Sequence, residues 1–232
     1  IGPSCVVPPD VRHGQRGGLT AREAEAQFLQ HRVPLYTTRF LQIDGGPGLL
    51  CDIVRQRCGA ETHALYLGED QAEYALAQTR AQRVFSTLGE VAAADTRYDC
   101  IALTPATAEI AEQLLPLLPQ LEPLLAPDGC MVVAHTCPLN LDQSAPSPLA
   151  LYATWPYECP LSEQEETFAP APGEPYVEVY ARADYDPLAH AQRLAGERRF
   201  DRAYEVLCAV PPHRREEAAF DIRAQIFKMI CI

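Results

Sequence analysis

Between Phe40 and Leu50 the chain reads FLQIDGGPGLL: a β-prone run, a turn carrying Gly45, Gly46 and Gly48, and the start of a helical run. Glycines let a ligand approach the backbone closely, and the first turn of a helix offers N–H groups with no partner inside the helix. Together they form a seat for a polar or anionic group, the layout by which many proteins hold a nucleotide-like cofactor. Gln42 ends the strand and Asp44 enters the turn. Further on, the acidic pair Glu69 and Asp70 follows a second β-prone run, HALYL. His135 and Cys137 are close enough to act as a nucleophile pair or as metal ligands. No third ligand is evident, and a hydrogen-bonded histidine at a core edge explains His135 more simply. GxSxG and P-loop lysine motifs are absent, which leaves serine-hydrolase and NTPase chemistry without support. EQEET at 163–167 reads as a solvated acidic loop, since its spacing is wrong for a calcium site.

The elements that would position these residues follow from periodicity. TAREAEAQFLQHR carries a capping-box pattern, Thr20 with Glu23, and an apolar stripe of Ala24, Phe28 and Leu29, so it predicts an amphipathic helix. RFLQI, HALYL, RVFST, YDCIALT and CMVVAHT are five β-prone runs alternating with helical ones, and the helix LLCDIVRQRCG closes at Gly59. Such alternation predicts a parallel sheet with helices on both faces. AEIAEQLLPLLPQLEPLLA is helical in pattern, but Pro116, Pro119 and Pro123 must kink or split it. PDG at 127–129 predicts a turn. The proline-rich stretch 137–174 reads as loop or insertion, and YVEVYARA after it as a strand at the edge of the sheet.

Composition narrows the classes. The 232 residues suit one α/β domain with an appendage, and 47% hydrophobic residues are enough for a full core. A net charge of −12 argues against nucleic acid as the main partner, because binding phosphates needs a basic surface. Nine cysteines with no CxxC pair lack the spacing of a zinc knuckle. Several lie in apolar runs, as reduced, buried thiols of a cytoplasmic protein would. No apolar run is long enough to span a bilayer, so no membrane partner is expected.

With that element order, residues 36–136 resemble a class I S-adenosylmethionine-dependent methyltransferase. LQIDGGPGLL is similar to that family's glycine motif, a strand ending in D/E-x-G-x-G-x-G. YDCIALT resembles its fourth strand, and LEPLLAPDGCMVVAH its proline-glycine turn and fifth strand. The resemblance implies a Rossmann-like fold with S-adenosylmethionine as cofactor. It places Gln42 at the family's acidic position, Asp44 at its first glycine, and Gly46 and Gly48 at the other two. It also implies that Gly45, Gly46 and Gly48 approach the cofactor. Gly68 falls where the ribose carboxylate belongs, with Glu69 or Asp70 as its replacement, and Leu88 falls near the adenine position with Glu90 nearby. LTPATAE lacks the Asn/Asp-Pro-Pro-Tyr/Phe signature of the amino-group methyltransferases.

The C-terminal run AQRLAGERRFDRAYEVLCAVPP resembles a tetratricopeptide unit through Leu194, Phe200, Ala203, Tyr204 and Leu207, with REEAAFDIRAQIFKMI as the next unit's first helix. A helical hairpin capping the sheet accounts for the same pattern. The expected organisation is a lead-in with an amphipathic helix (1–35), an α/β domain (36–184) with its insertion at 137–174, and a helical tail (185–232). Two functional readings follow. One is a methyltransferase acting on a small molecule or a protein side chain, with the insertion covering the substrate. The other is a non-catalytic methyltransferase-like module that meets a protein partner or a second copy through residues 185–232.

Overall fold

The computed structural model describes residues 21–104, 114, 118–135, 149–156 and 176–210. Seven strands form one sheet: β1 (Arg39–Ile43), β2 (Glu61–Leu65), β3 (Arg83–Phe85), β4 (Tyr98–Leu103), β5 (Leu125–His135), β6 (Leu149–Pro156) and β7 (Tyr176–Arg182). Their spatial order is β3-β2-β1-β4-β5-β7-β6. The first five run parallel, and β7 lies antiparallel to both β5 and β6.

The helices are α1 (Ala21–Leu29), α2 (Leu49–Cys58), α3 (Gln71–Arg80), α4 (Leu88–Ala93), the short α5 (Leu118–Leu121), α6 (Pro187–Gly196) and α7 (Phe200–Ala209). Strands buried on both faces read as unbroken apolar runs. On one face Phe40, Ala64, Ala102 and Val132 pack with Leu29 of α1 and with Leu50 and Val54 of α2. On the other, Leu41, Leu65, Ile101 and Met131 pack with Val91 of α4 and with Leu121 of α5. The expected Rossmann-like α/β fold is therefore observed.

Three local readings change. Residues 149–156, read within a loop or insertion, form β6. That strand is the sheet's outer one, so β7 is an interior strand with a neighbour on each side. The PDG turn is absorbed into β5 as an irregularity: Tyr98 pairs with Leu125 and Cys100 with Cys130, so two steps along β4 match five along β5. Gly129 is required there, because a Cβ would lie 2.7 Å from the Tyr98 carbonyl oxygen. The prolines of the preceding helical run coincide, within the described part, with a four-residue helix that passes into a 3-10 turn at Glu122–Leu124. Thr20 and Cys137 lie outside the described residues, and His135 closes β5.

The described part of the tail is a hairpin of α6 and α7. Asp186 caps α6 by accepting from the Leu188 and Ala189 N–H groups, with Pro187 at the first helical position. Ala191, Leu194, Ala203, Val206 and Leu207 bury one seam together with Tyr36 of the α/β body, while Tyr204 is exposed. The hairpin thus packs on the sheet domain, and the next tetratricopeptide-like helix falls outside the described residues. Among the described cysteines, Cys51, Cys58, Cys100 and Cys130 are free and buried, and Cys208 is free and exposed. No described helix is long and apolar enough to cross a membrane.

Candidate functional site

Ile43, Leu65 and Leu103 are level in the sheet, so β1, β2 and β4 end together and their following turns share one edge. The turn after β1 holds positive φ at Asp44 (55°), Gly46 (54°) and Gly48 (73°). These are the three positions matched to the family's glycines. The backbone keeps a glycine conformation even where aspartate stands, a conformation aspartate tolerates better than most residues. Asp44 is buried, and its N–H donates to the Leu65 carbonyl at 2.9 Å.

Gly48 is the N-cap of α2 and has no side chain to offer. Gln42 supplies the cap from below: its Oε1 accepts from the Cys51 N–H at 3.2 Å, and its Nε2 donates to Thr104 Oγ1 at 3.4 Å. Thr104 in turn donates to the Ile43 carbonyl at 3.3 Å. The amide lies directly under Gly45, where a Cβ would come within 2.0 Å of Gln42 Cδ. Gly45 is thus a glycine because Gln42 fills the space beneath it.

The other strand ends are closed in the same way. After β2, Asp70 is the N-cap of α3 and accepts from the Ala72 and Glu73 N–H groups at 2.8 and 3.3 Å. The Tyr66 phenol folds over Gly68, where a Cβ would meet its oxygen at 2.7 Å, and donates to the Asp70 carbonyl at 2.9 Å. Burial, then Glu73, Asp70 and Asp44, push the Tyr66 phenol up, so it stays a donor. After β3, Glu90 accepts from the Ser86 and Thr87 N–H groups at 2.8 and 3.3 Å, and Thr87 accepts from the Glu90 N–H at 3.2 Å. That reciprocal pair is a capping box on α4. Leu88, at the adenine position, is half-buried against the core. Glu69 alone among the predicted acidic residues is exposed with its carboxylate outside these bonds.

The structure therefore brings Gln42, Asp44, Gly45, Gly46 and Gly48 together at one edge, with Glu69 and Asp70 on the adjacent turn. Sequence reading missed the capping role of Glu90, although the T-x-x-E pattern at Thr87–Glu90 signals it. Tyr66 over Gly68 left no local signal. Among the described residues no group of three His, Cys, Asp or Glu side chains is arranged to hold a metal ion.

No protein-family model and no curated protein matches the chain. Solved structures do. A TehB-like SAM-dependent methyltransferase from Corynebacterium glutamicum superposes with a TM-score of 0.51 at 17% identity, over 68% of this chain and 87% of that one. A ribosomal protein L11 methylase from Lactobacillus delbrueckii subsp. bulgaricus gives 0.51 at 16%, over 73% and 82%. The putative methyltransferase yhhF from Escherichia coli gives 0.50 at 17%, over 72% and 90%. The chain has the class I methyltransferase fold. At these identities the likeness extends to the fold alone, and activity has to be argued from the residues at the strand ends.

Proposed function

We propose that this methyltransferase-fold domain is a non-catalytic module whose cofactor turn has become part of the scaffold. One observation carries the reading: the polar side chains Gln42, Asp70 and Glu90, at the ends of β1, β2 and β3, serve as caps for the helices that follow. The Gln42 amide is buried, and turning it away from the Cys51 N–H toward a ligand would leave that N–H unpaired at a cost of about 1–3 kcal/mol. Gly68, at the ribose position, offers no carboxylate, and Tyr66 covers it. Such a domain would work through an interface, and the helical tail, residues 185–232, is the surface that would meet a protein partner or a second copy.

A second reading is favoured by the turn itself, whose three positive-φ positions keep the backbone form, and by the exposed Glu69. In it Gly45, Gly46 and Gly48 approach S-adenosylmethionine, Glu69 holds the ribose, and the methyl acceptor is a small molecule or a protein side chain.

Calorimetry and thermal shift with S-adenosylmethionine and S-adenosylhomocysteine decide between them. A ligand at a hundred times its dissociation constant adds about 2.7 kcal/mol to stability. The scaffold reading expects no saturable binding by the wild type or by Gln42→Asp. Micromolar binding that is lost in Gly46→Val would replace it with the methyltransferase reading.

A further inference from the structure

Cys100 on β4 and Cys130 on β5 are partners in the parallel ladder. Both are free, and both belong to the buried cluster on the α1–α2 face of the sheet, so their side chains project to the same side. The Cys100 thiol is hydrogen-bonded to the Cys130 thiol. Neighbouring strands lie about 4.8 Å apart, inside the roughly 4.4–6.8 Å Cα separation that a disulfide spans. The Cβ atoms of a bridge lie closer, at about 3.5–4.5 Å, so closing one draws the two strands together locally. The chain has slack at this point, because the irregularity in the β4–β5 ladder lies immediately before Cys130.

The two thiols differ in access. Cys100 is fully buried, whereas Cys130 is 7% exposed and lines a partly open cavity of about 90 Å³ beside Tyr185 and Ala181. That space suits a molecule little larger than water, whose share of the liquid is about 30 Å³. Burial, then the hydrogen bond with Cys130, pushes the Cys100 thiol up, so the first reaction falls to Cys130. Cys58 also lies near Cys100, but its Sγ donates to the Pro34 carbonyl oxygen at 3.8 Å.

We propose that Cys100 and Cys130 are a reversible thiol–disulfide pair oxidised by hydrogen peroxide. The Cys130 sulfur attacks one peroxide oxygen, the O–O bond breaks, and the thiol proton leaves with the other oxygen as water. Cys130 then carries a sulfenic acid. The Cys100 sulfur attacks it, the S–S bond forms, and the S–O bond breaks to release a second water with the Cys100 proton. The two sulfurs lose two electrons, which the peroxide takes up. A bridge closed at strand spacing is strained and readily reduced, which suits a switch better than a structural link. The pair is separate from the glycine turn and stands whether or not that turn binds a cofactor.

The test treats the native protein with hydrogen peroxide, blocks the remaining thiols and digests at aspartate. Cleavage before Asp99, Asp128 and Asp142 puts Cys100 in peptide 99–127 and Cys130 in peptide 128–141, which also holds Cys137. The two peptides should be joined, fragmentation should place the bond at Cys130, and dithiothreitol should separate them. In Cys100→Ala the sulfenic acid has no second thiol to close on, so dimedone should label Cys130 several-fold more than in the wild type. Should that variant fail to fold, the wild-type peptide map decides alone. No joined peptides, a bond at Cys137, Cys100 joined to Cys58, a link that dithiothreitol leaves intact, or equal dimedone labelling of variant and wild type would each overturn the proposal.

Discussion

Gln42 shows how one side chain decides what a turn is for. Its amide can donate and accept at once, so it joins the α2 N-terminus to the end of β4, and it sits where no Cβ could be placed on Gly45. The glycine turn was legible in the sequence because its residues are consecutive. The purpose of Gln42 was not, because its partners Cys51 and Thr104 lie 9 and 62 residues away. Gln42→Leu keeps the volume but leaves the Cys51 N–H without its side-chain acceptor. It should cost about 1–3 kcal/mol, read as a lower urea midpoint at unchanged slope. An unchanged midpoint would mean that the Cys51 N–H does not depend on this amide, and hence that Gln42 is not needed as the cap of α2.

Among the elements, β1 to β5 were readable because strands covered on both faces are apolar throughout. The outer strand β6 was not. It lies in a proline-rich stretch, and Leu151 points to solvent while Ala153 is buried, so its run lacks the expected apolar continuity. The helical hairpin was half legible: the spacing of Leu194, Ala203 and Leu207 gave a seam, but it did not show that Tyr36 of the body supplies the opposing surface. This separates two residues that the repeat pattern had placed together. Leu207→Ala should cost about 2–5 kcal/mol through the cavity it leaves, with earlier proteolysis of the tail. Tyr204→Ala, at an exposed position, should change stability by no more than about 0.5 kcal/mol. Equal losses for the two would place Tyr204 in an interface and favour the reading of the tail as a packed array.

At the scale of the whole molecule, the fold buries neutral groups that acid would have to charge, His63 and His190. His63, on β2, is buried between the edges of Phe85 and Tyr98. Burial pushes the Tyr98 phenol up to about 12, so it remains protonated and donates to His63 Nδ1 at 2.8 Å. The proton of the neutral imidazole then sits on Nε2 and reaches Glu61 Oε1 at 3.2 Å. Burial lowers the His63 pKa below its ordinary 6.5 and outweighs the pull of Glu61. His190, packed between Tyr36 and Tyr185, is lowered by burial too, against the opposing pull of Asp128. A histidine with a depressed folded-state pKa binds its proton more readily in the unfolded chain. Its contribution to stability is therefore complete above about pH 6.5 and is lost as pH falls from there toward the folded-state value. Each such histidine adds at most about 1.4 kcal/mol per pH unit within that window. Urea midpoints measured at pH 7.5, 6.5 and 5.5 should fall on acidification. In His63→Gln the midpoint at pH 7.5 should be lower, because the Tyr98 hydrogen bond is disturbed, and the decline toward pH 5.5 should be shallower. A decline as steep in His63→Gln as in the wild type would remove His63 from the account and leave the acid sensitivity to the carboxylates.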